Sequence, residues 1–282
     1  MAFFTIFIAT VAFILGSASG YGISWAGNAL IISGLMSFGS YFWGDRLVLA
    51  MSGAKEADRK KDAELYLTVE KVAREASLPK PKVYVIEDDA PNAFATGRSP
   101  QHAVVCATRG ILAKLTPQEL EGVLAHEMSH IQNFDTRLMA IVAVLVGMIA
   151  FLSNWFMRML WWGAGGRDRE ERGSFGAILM LLGVILALIS PIIATVIQLS
   201  ISRRREFLAD ASGALLTKNP DSLASALEKI SKDRAVLNAA TNATAHLFIV
   251  NPFKGKEFGI WFASLFDTHP PVEERIKILR SM

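Results

Sequence analysis

Long stretches without a charged residue are the feature that most restricts how this chain can fold. Met1–Gly44 contains none in 44 residues, Leu138–Met157 none in 20 and Ser174–Ser200 none in 27. One membrane-crossing helix needs about 20 predominantly apolar residues. The chain as a whole is 52% hydrophobic. We therefore predict about four transmembrane helices, at 3–20, 26–44, 138–157 and 175–198.

A cleaved signal peptide is the alternative for the first of these segments. Ser17-Ala18-Ser19 has the small residues of a cleavage site. A signal peptide, however, begins with basic residues, whereas this chain begins Met-Ala-Phe-Phe and a second apolar stretch follows at once. We therefore favour a retained N-terminal transmembrane hairpin over residues 1–44.

Basic residues indicate the orientation of the predicted helices. Nine lie near the span ends on one side, and four, all within 158–173, lie on the other. Lys and Arg are in excess in cytoplasmic loops. This bias places both termini and two polar segments, 45–137 and 201–282, in the cytoplasm. A second transmembrane hairpin, 138–200, would separate the two segments.

Charge and cysteine content restrict the partners and the compartment. The net charge is +3. We attribute it to the juxtamembrane basic residues, which favour the lipid bilayer as a partner, and we expect no nucleic-acid partner. Cys106 is the only cysteine, so no disulfide can form within the chain, as is usual in a reducing compartment.

The first polar segment predicts a small sheet and two helices. Glu56–Ala76 is rich in helix formers and ends before Pro79. Lys82–Ile86 alternates as a strand does, and Ala103–Ala107 has the pattern of a more buried strand. Asn92–Gly97 is typical of a turn beside a short third strand.

A second helix of this segment carries its own start signal. Thr116-Pro117-Gln118-Glu119 is a capping-box pattern with proline at the first helical position. We therefore expect a helix from Thr116 through His130. In the second polar segment, which is mostly helical in pattern, Pro220 and Pro271 mark two further helix starts.

The most specific motif lies on the helix that begins at Thr116. His126-Glu127-Met128-Ser129-His130 puts two imidazoles four residues apart, one above the other, so both can reach one zinc ion. Glu127 is turned by about 100° and can take a proton from the attacking water and pass it to the leaving amine. The alternative is a chance match on a surface helix. Four apolar positions that would anchor the helix in a core argue against chance: Leu120, Val123, Leu124 and Ile131.

Two histidines leave a zinc ion short of a third protein ligand. If the motif helix continues into the third predicted span, His130 and Glu206 emerge on one membrane face, about 12 and 9 Å from their spans by helical rise. That placement allows a site of two histidines and one glutamate. It equally allows Glu206 to be a solvated acid paired with Arg203–Arg205. Asp210, one turn beyond, could accept the second ring N–H of a zinc histidine or be a surface acid.

Four motifs together resemble one family. They are His126–His130, the run Arg205–Asp210, Asn92–Gly97 and Thr268–Pro271. They resemble the bacterial HtpX heat-shock membrane proteases, zinc metallopeptidases related to the CAAX prenyl endopeptidases, over nearly the whole chain. The resemblance implies one Zn²⁺ per chain, held by His126, His130 and Glu206. It also implies that Glu127 is the catalytic glutamate and that Asp210 accepts the second ring N–H of a zinc-binding histidine.

The resemblance also implies a biological role. It implies an endopeptidase of the bacterial inner membrane that acts in quality control, with polypeptide substrates and an active site facing the cytoplasm. His269, with Arg275 six residues on, matches residues of the prenyl endopeptidases that could stabilise the oxyanion. The alternative for His269 is a structural role before Pro270-Pro271. Asn92–Gly97 could border the substrate cleft or form only a tight turn.

The expected fold is therefore α+β: a zincin-like metallopeptidase domain with a small sheet of three or four strands, integrated with about four transmembrane helices. Segments 45–137 and 201–282 would build the domain. An intramembrane protease is disfavoured because charged residues such as Lys114, Glu119 and Glu121 surround the motif. A scaffold with a purely structural zinc would not need Glu127. No feature of the sequence specifies an oligomeric state.

Overall fold

The computed structural model describes residues 22–144, 203–241, 244–250, 252 and 270–282. The chain divides into two compact units, one formed by 1–43 with 145–193 and the other by 44–144 with 194–282. Helix α1 (Gly22–Met51) begins in the first unit. Every later element that the structure describes belongs to the second unit.

The predicted transmembrane helices fall mostly outside the described residues. This holds for the crossings at 3–20 and 175–198 and for most of 138–157. Among the helices that are described, none combines the length and the apolar character of a membrane span. The crossing predicted at 26–44 lies within α1.

A four-stranded mixed sheet forms the centre of the second unit, in agreement with the expected α+β fold. Its strands lie in the order β1-β2-β4-β3. Strands β2 and β4 are parallel, and β1 and β3 pair antiparallel with their neighbours. The strands are β1 (Lys55–Glu56), β2 (Lys82–Ile86), β3 (Ala93–Thr96) and β4 (Val104–Thr108).

In the part of the chain that the structure describes, six numbered helices follow α1, all of them in the second unit. Two further single turns, Pro100–His102 and Ala245–Leu247, are 3₁₀-helical, and residues 135–144 are also helical. The other numbered helices are α2 (Ala63–Glu75), α3 (Arg109–Lys114), α4 (Pro117–Gln132), α5 (Arg203–Thr217), α6 (Pro220–Lys232) and α7 (Val272–Leu279).

Helix α4 begins with the predicted capping box. The Thr116 hydroxyl accepts the backbone N–H of Glu119, and the Glu119 carboxylate accepts the N–H of Thr116 at 2.8 Å. Lys229 of α6 donates to the same carboxylate at 2.7 Å. Burial alone would raise the pKa of Glu119, but these hydrogen bonds outweigh it and lower the pKa. The start of α4 is thus fixed both locally and against α6.

The helix predicted at Glu56–Ala76 starts later than expected. Residues Lys55 and Glu56 pair with β2 instead, and the Asp58 carboxylate then accepts the backbone N–H groups of Lys60 and Lys61. This local turn competes with helix, so α2 begins at Ala63. Its predicted apolar face is buried as expected: Leu65, Val69, Val72 and Ala76.

Both faces of the sheet are covered by buried side chains. Successive side chains of a strand point to opposite faces, so β2, β3 and β4 each contribute to two separate cores. Ala93, Ala95 and Val105 share one core with residues of α2, α4 and α6. Phe94 and Cys106 face the other side, in a second core. Residues of the second core that lie outside the sheet are Val48, Leu49, Ala90, Met139, Ala143, Leu237, Leu247 and Phe248.

Cys106 lies at the centre of this second core. Its side chain is completely buried on β4 and has no disulfide partner. Burial raises the pKa of the thiol, because the charged thiolate would lose its hydration.

Candidate metal centre

Helices α4 and α5 bring three potential metal ligands together. The Nε2 atoms of His126 and His130 are 3.2 Å apart. Glu206 of α5 places its Oε1 3.4 Å from the His130 Nε2 and its Oε2 3.7 Å from the His126 Nε2. All three side chains are buried, and the group could hold a metal ion.

The donor set fits zinc. A tetrahedral ion with zinc–ligand bonds of about 2.0–2.1 Å has ligand–ligand edges of about 3.3–3.4 Å. The separation of the two His Nε2 atoms, 3.2 Å, and that between the His130 Nε2 and the Glu206 Oε1, 3.4 Å, are close to that edge. Two imidazoles and one carboxylate are also the ligands of known catalytic zinc sites, in which a fourth position stays open to water or substrate.

A glycine lets the two helices approach closely enough for this arrangement. A Cβ atom at Gly213 of α5 would lie 3.0 Å from the backbone nitrogen of His126. Gly213 follows Glu206 by seven residues, about two helical turns, and so lies on the same side of α5. The contact between α4 and α5 therefore sets how far Glu206 stands from the two histidines.

A buried carboxylate and arginine orient His126. The His126 Nδ1 lies 2.9 Å from the Asp210 Oδ1, and Arg275 of α7 donates two hydrogen bonds to the Asp210 carboxylate at 2.7 and 2.8 Å. Arg275 also donates to the Ile249 carbonyl. Burial would raise the pKa of Asp210, but the Arg275 guanidinium outweighs it and holds that pKa well below its usual range. Asp210 can thus accept the Nδ1–H of His126 and leave Nε2 free to bind metal.

A second carboxylate, which the sequence analysis missed, lies against His130. The Asp135 Oδ2 is 3.1 Å from the His130 Nδ1, and Arg205 donates to the other oxygen of Asp135. Burial would lower the pKa of His130, but the negative charges of Glu206 and Asp135 outweigh it and raise the pKa to about 9. The signal that could have revealed Asp135 is an acid five residues after the second motif histidine.

Asp135 lies beyond a break in the motif helix. Helix α4 ends at Gln132, Phe134 has a positive φ of 60°, and residues from 135 are helical again. The assumption that the motif helix continues straight toward the third predicted span is therefore wrong. The break places Asp135 beside the ring of His130, where a continuing helix would turn it away.

Of the other predicted site residues, the structure places Glu127 and Arg275 at the metal centre. Glu127 is buried on α4 next to His126. Arg275 is at the centre, where it donates to Asp210 and lies 3.9 Å from the Glu206 carboxylate. His269 lies outside the described residues.

The segment from Asn92 to Gly97 has clear structural reasons for its sequence. The Asn92 side chain donates to the Val250 carbonyl at 2.9 Å. Gly97 has a φ of 132°, and a Cβ there would lie 2.4 Å from the His102 carbonyl oxygen. The tight-turn interpretation of Gly97 therefore holds. Strand β3, which precedes it, is the last strand of the sheet on that side in the part of the chain described.

Comparison with known proteins assigns the arrangement to a family. The family model of peptidase family M48 matches residues 59–282, which include the two histidines, both site glutamates and Asp210. This chain belongs to peptidase family M48. As a member of this family it is a membrane-associated zinc metalloendopeptidase, and the predicted zinc cofactor agrees with this assignment.

Relatives support the M48 assignment, and a solved structure has a similar fold. The chain is 49% identical over 244 residues to a protease HtpX homolog of Caldanaerobacter subterraneus subsp. tengcongensis, covering 86% of this chain and 80% of the relative. It is 45% identical to a protease HtpX homolog of Pyrococcus furiosus, covering 100% and 93%. The fold is similar to the crystal structure of S. mikatae Ste24p, with a TM-score of 0.52 and 17% identity over 96% of this chain and 62% of that one. The HtpX-type resemblance drawn from the motifs is confirmed.

Proposed function

We propose that this M48 peptidase cleaves misfolded or damaged membrane proteins at the cytoplasmic face of the inner membrane, as part of protein quality control. The observation that carries the catalytic part is the buried convergence of two imidazoles and one carboxylate at 3.2–3.7 Å. Membrane substrates follow from the membrane association of the enzyme, since a bilayer concentrates them beside the site.

The zinc ligands in this proposal are His126, His130 and Glu206. Zinc bound there would polarise the scissile carbonyl and acidify the attacking water. Glu127 then acts as the general base and takes the proton of that water. It returns the proton to the leaving amine as the peptide bond breaks. Asp210 and Arg275 keep His126 in the tautomer that offers Nε2.

Two further parts of the proposal concern the substrate and the transition state. His269 would donate a hydrogen bond to the developing oxyanion. An extended peptide would pair with the outer edge of β3, near Asn92–Gly97, by main-chain hydrogen bonds. Helix α4 packs on the Ala93 and Ala95 face of the same strand, so a peptide at this edge would lie beside the motif helix.

The orientation rests on basic residues. We propose that residues 138–200 form a membrane hairpin and that 45–137 and 201–282 lie in the cytoplasm. Arg203, Arg204 and Arg205 follow the hairpin on the side of the metal centre. Lys and Arg at span ends favour the cytoplasmic side.

Glu127→Gln tests the function directly. Purified full-length protein in detergent should lose casein cleavage and self-cleavage, because glutamine cannot carry the proton, while zinc stays near one per chain. Membrane fractions containing wild-type or Glu127→Gln protein should then differ in the membrane-protein fragments that mass spectrometry identifies. Substantial cleavage by the variant would contradict the role of Glu127 as the general base. Identical fragments in the two fractions would contradict the proposal that membrane proteins are the substrates.

A further inference from the structure

The two histidines of the metal centre are held by separate carboxylate–arginine pairs that differ in exposure. His126 contacts Asp210, which Arg275 holds, and the Arg275 side chain is fully buried. His130 contacts Asp135, which Arg205 holds, and the Arg205 side chain is 48% exposed. The second pair therefore lies at the rim of the centre, whereas the first lies beneath it.

The rim pair comes from the two chain segments that flank 138–200. Asp135 shortly precedes the uncharged stretch that begins at Leu138, and Arg205 shortly follows the one that ends at Ser200. Because Phe134 breaks the helix, α4 alone does not fix the position of Asp135 relative to His130. The contact with Arg205 of α5 supplies the missing constraint.

We propose that Asp135 and Arg205 are positioning residues of the metal centre. Asp135 accepts the Nδ1–H of His130, which directs the Nε2 lone pair of that ring at the metal, and Arg205 holds Asp135 in this position. The inference rests on the proposed assignment of His130 as a zinc ligand. It adds to that assignment a residue that acts through His130 and a second that acts through Asp135.

A histidine that binds metal through Nε2 must carry its proton on Nδ1, and a partner that accepts this proton fixes both tautomer and ring orientation. Asp135 is 3.1 Å from the His130 Nδ1 and its side chain is 7% exposed, so it is placed for that contact. Arg205 is the cation that the described residues place on the other oxygen of Asp135. A purely structural role for the pair would tie the segment at 135–144 to α5 without acting on the ring.

Zinc affinity of the full-length protein in detergent, measured by competition with a chelating dye, separates the two roles. Asp135→Ala should lower it by about tenfold to a hundredfold. Asp135→Asn should lose less, because the amide oxygen still accepts the ring N–H. The visible spectrum of the Co²⁺-substituted protein should change in Asp135→Ala, since the ring of His130 is no longer held.

Arg205→Ala has a matched control in the next residue. We expect Arg205→Ala to lower zinc affinity by about threefold to fivefold, the range of a partly exposed ion pair. Arg204→Ala removes the same charge from an exposed neighbour and should leave the affinity unchanged. If Arg205 acts through Asp135, the double variant Asp135→Ala with Arg205→Ala should lose no more than Asp135→Ala alone.

Failure of this inference and failure of the proposed function give different results. If His130→Ala loses zinc but Asp135→Ala stays within about twofold of wild type, the positioning role is overturned and the ligand set stands. If His130→Ala keeps its zinc, the ligand set itself fails. Additive losses in the double variant would overturn the role of Arg205. Should Asp135→Ala not fold, wild-type affinity in both Asp135→Asn and Arg205→Ala overturns the inference.

Discussion

At the scale of the residue, charge is concentrated where there is little water. His126, Glu206, Asp210 and Arg275 are all at most 1% exposed. Burying one such ion without a partner costs several kcal/mol, and removing one member of a buried set leaves the others unpaired. A zinc ion would add two positive charges to the one on Arg275, so the metal and the buried arginine together exceed the two negative charges of Glu206 and Asp210.

Glu206→Ala should therefore lose both activity and tightly bound zinc. The alanine provides no third ligand, and two histidines alone do not complete the site. Metal analysis of the purified variant checks this expectation. Zinc retained at the wild-type level would mean that another residue is the third ligand, and Asp210 would be the first to examine.

His269→Ala tests the proposed oxyanion donor. We expect the catalytic rate to fall by about a hundredfold or more, as when other oxyanion-hole donors are removed. Zinc content and the Michaelis constant should barely change, because the contact forms only in the transition state. Near-normal turnover together with a lower melting temperature would show that His269 orients the turn before Pro270 instead.

At the scale of the element, local signals predicted the helix that carries the two motif histidines, whereas non-local contacts determine the other parts of the site. The capping box at Thr116 and the spacing of His126 and His130 are readable from adjacent residues. Asp135 was not predicted, because its place depends on a left-handed residue, Phe134, that no periodic pattern announces. Strand β1 was missed because two residues, Lys55 and Glu56, are too few to show alternation.

The third ligand shows the same division. The estimated heights of His130 and Glu206 above the membrane allowed Glu206 to be either a zinc ligand or a solvated acid. Only the family resemblance favoured the zinc ligand. Arg275 was predicted to lie at the site beside His269, and the structure shows it donating to Asp210 and to the Ile249 carbonyl. The contact of the buried Arg275 with Asp210 depends on how α7 packs against α5. Residue spacing in the sequence does not predict that packing.

Gly213→Ala tests the contact between α4 and α5. Alanine would favour an isolated helix by about 0.5–1 kcal/mol, but here its Cβ meets backbone of α4 at 3.0 Å. We expect a net destabilisation of about 1–2 kcal/mol and weaker zinc binding, since α5 must move away from α4. Thermal melting and chelator competition measure the two effects.

Gly34→Ala is the matched control for this substitution. It is also a helical glycine, and an added Cβ there meets nothing within 4 Å among the described residues. It should leave zinc affinity unchanged. If Gly213→Ala behaves like Gly34→Ala in both measurements, close helix approach is not what sets the spacing of the ligands.

At the scale of the whole molecule, the candidate site is assembled from two polar segments that the chain separates by 138–200. The proposed hairpin puts Gly165 on the opposite face of the membrane from the C-terminus. In intact cells, an impermeant thiol reagent should label Gly165→Cys and should miss Ser281→Cys. Lysed cells provide the control in which both positions react. Equal labelling of the two positions in intact cells would contradict the hairpin.

The buried thiol of Cys106 can report on unfolding of the catalytic domain in thiol-labelling experiments. A thiol reagent reacts with an accessible thiolate. Burial in the second core shields the Cys106 thiol from the reagent and, by raising its pKa, keeps it protonated. In the native protein this cysteine is chemically silent, so an introduced cysteine reports alone without replacement of the natural one. When the sheet opens, Cys106 becomes reactive. Its rate of modification by a membrane-permeant thiol reagent therefore measures how often the catalytic domain opens while the protein remains anchored in its membrane, where calorimetry is difficult.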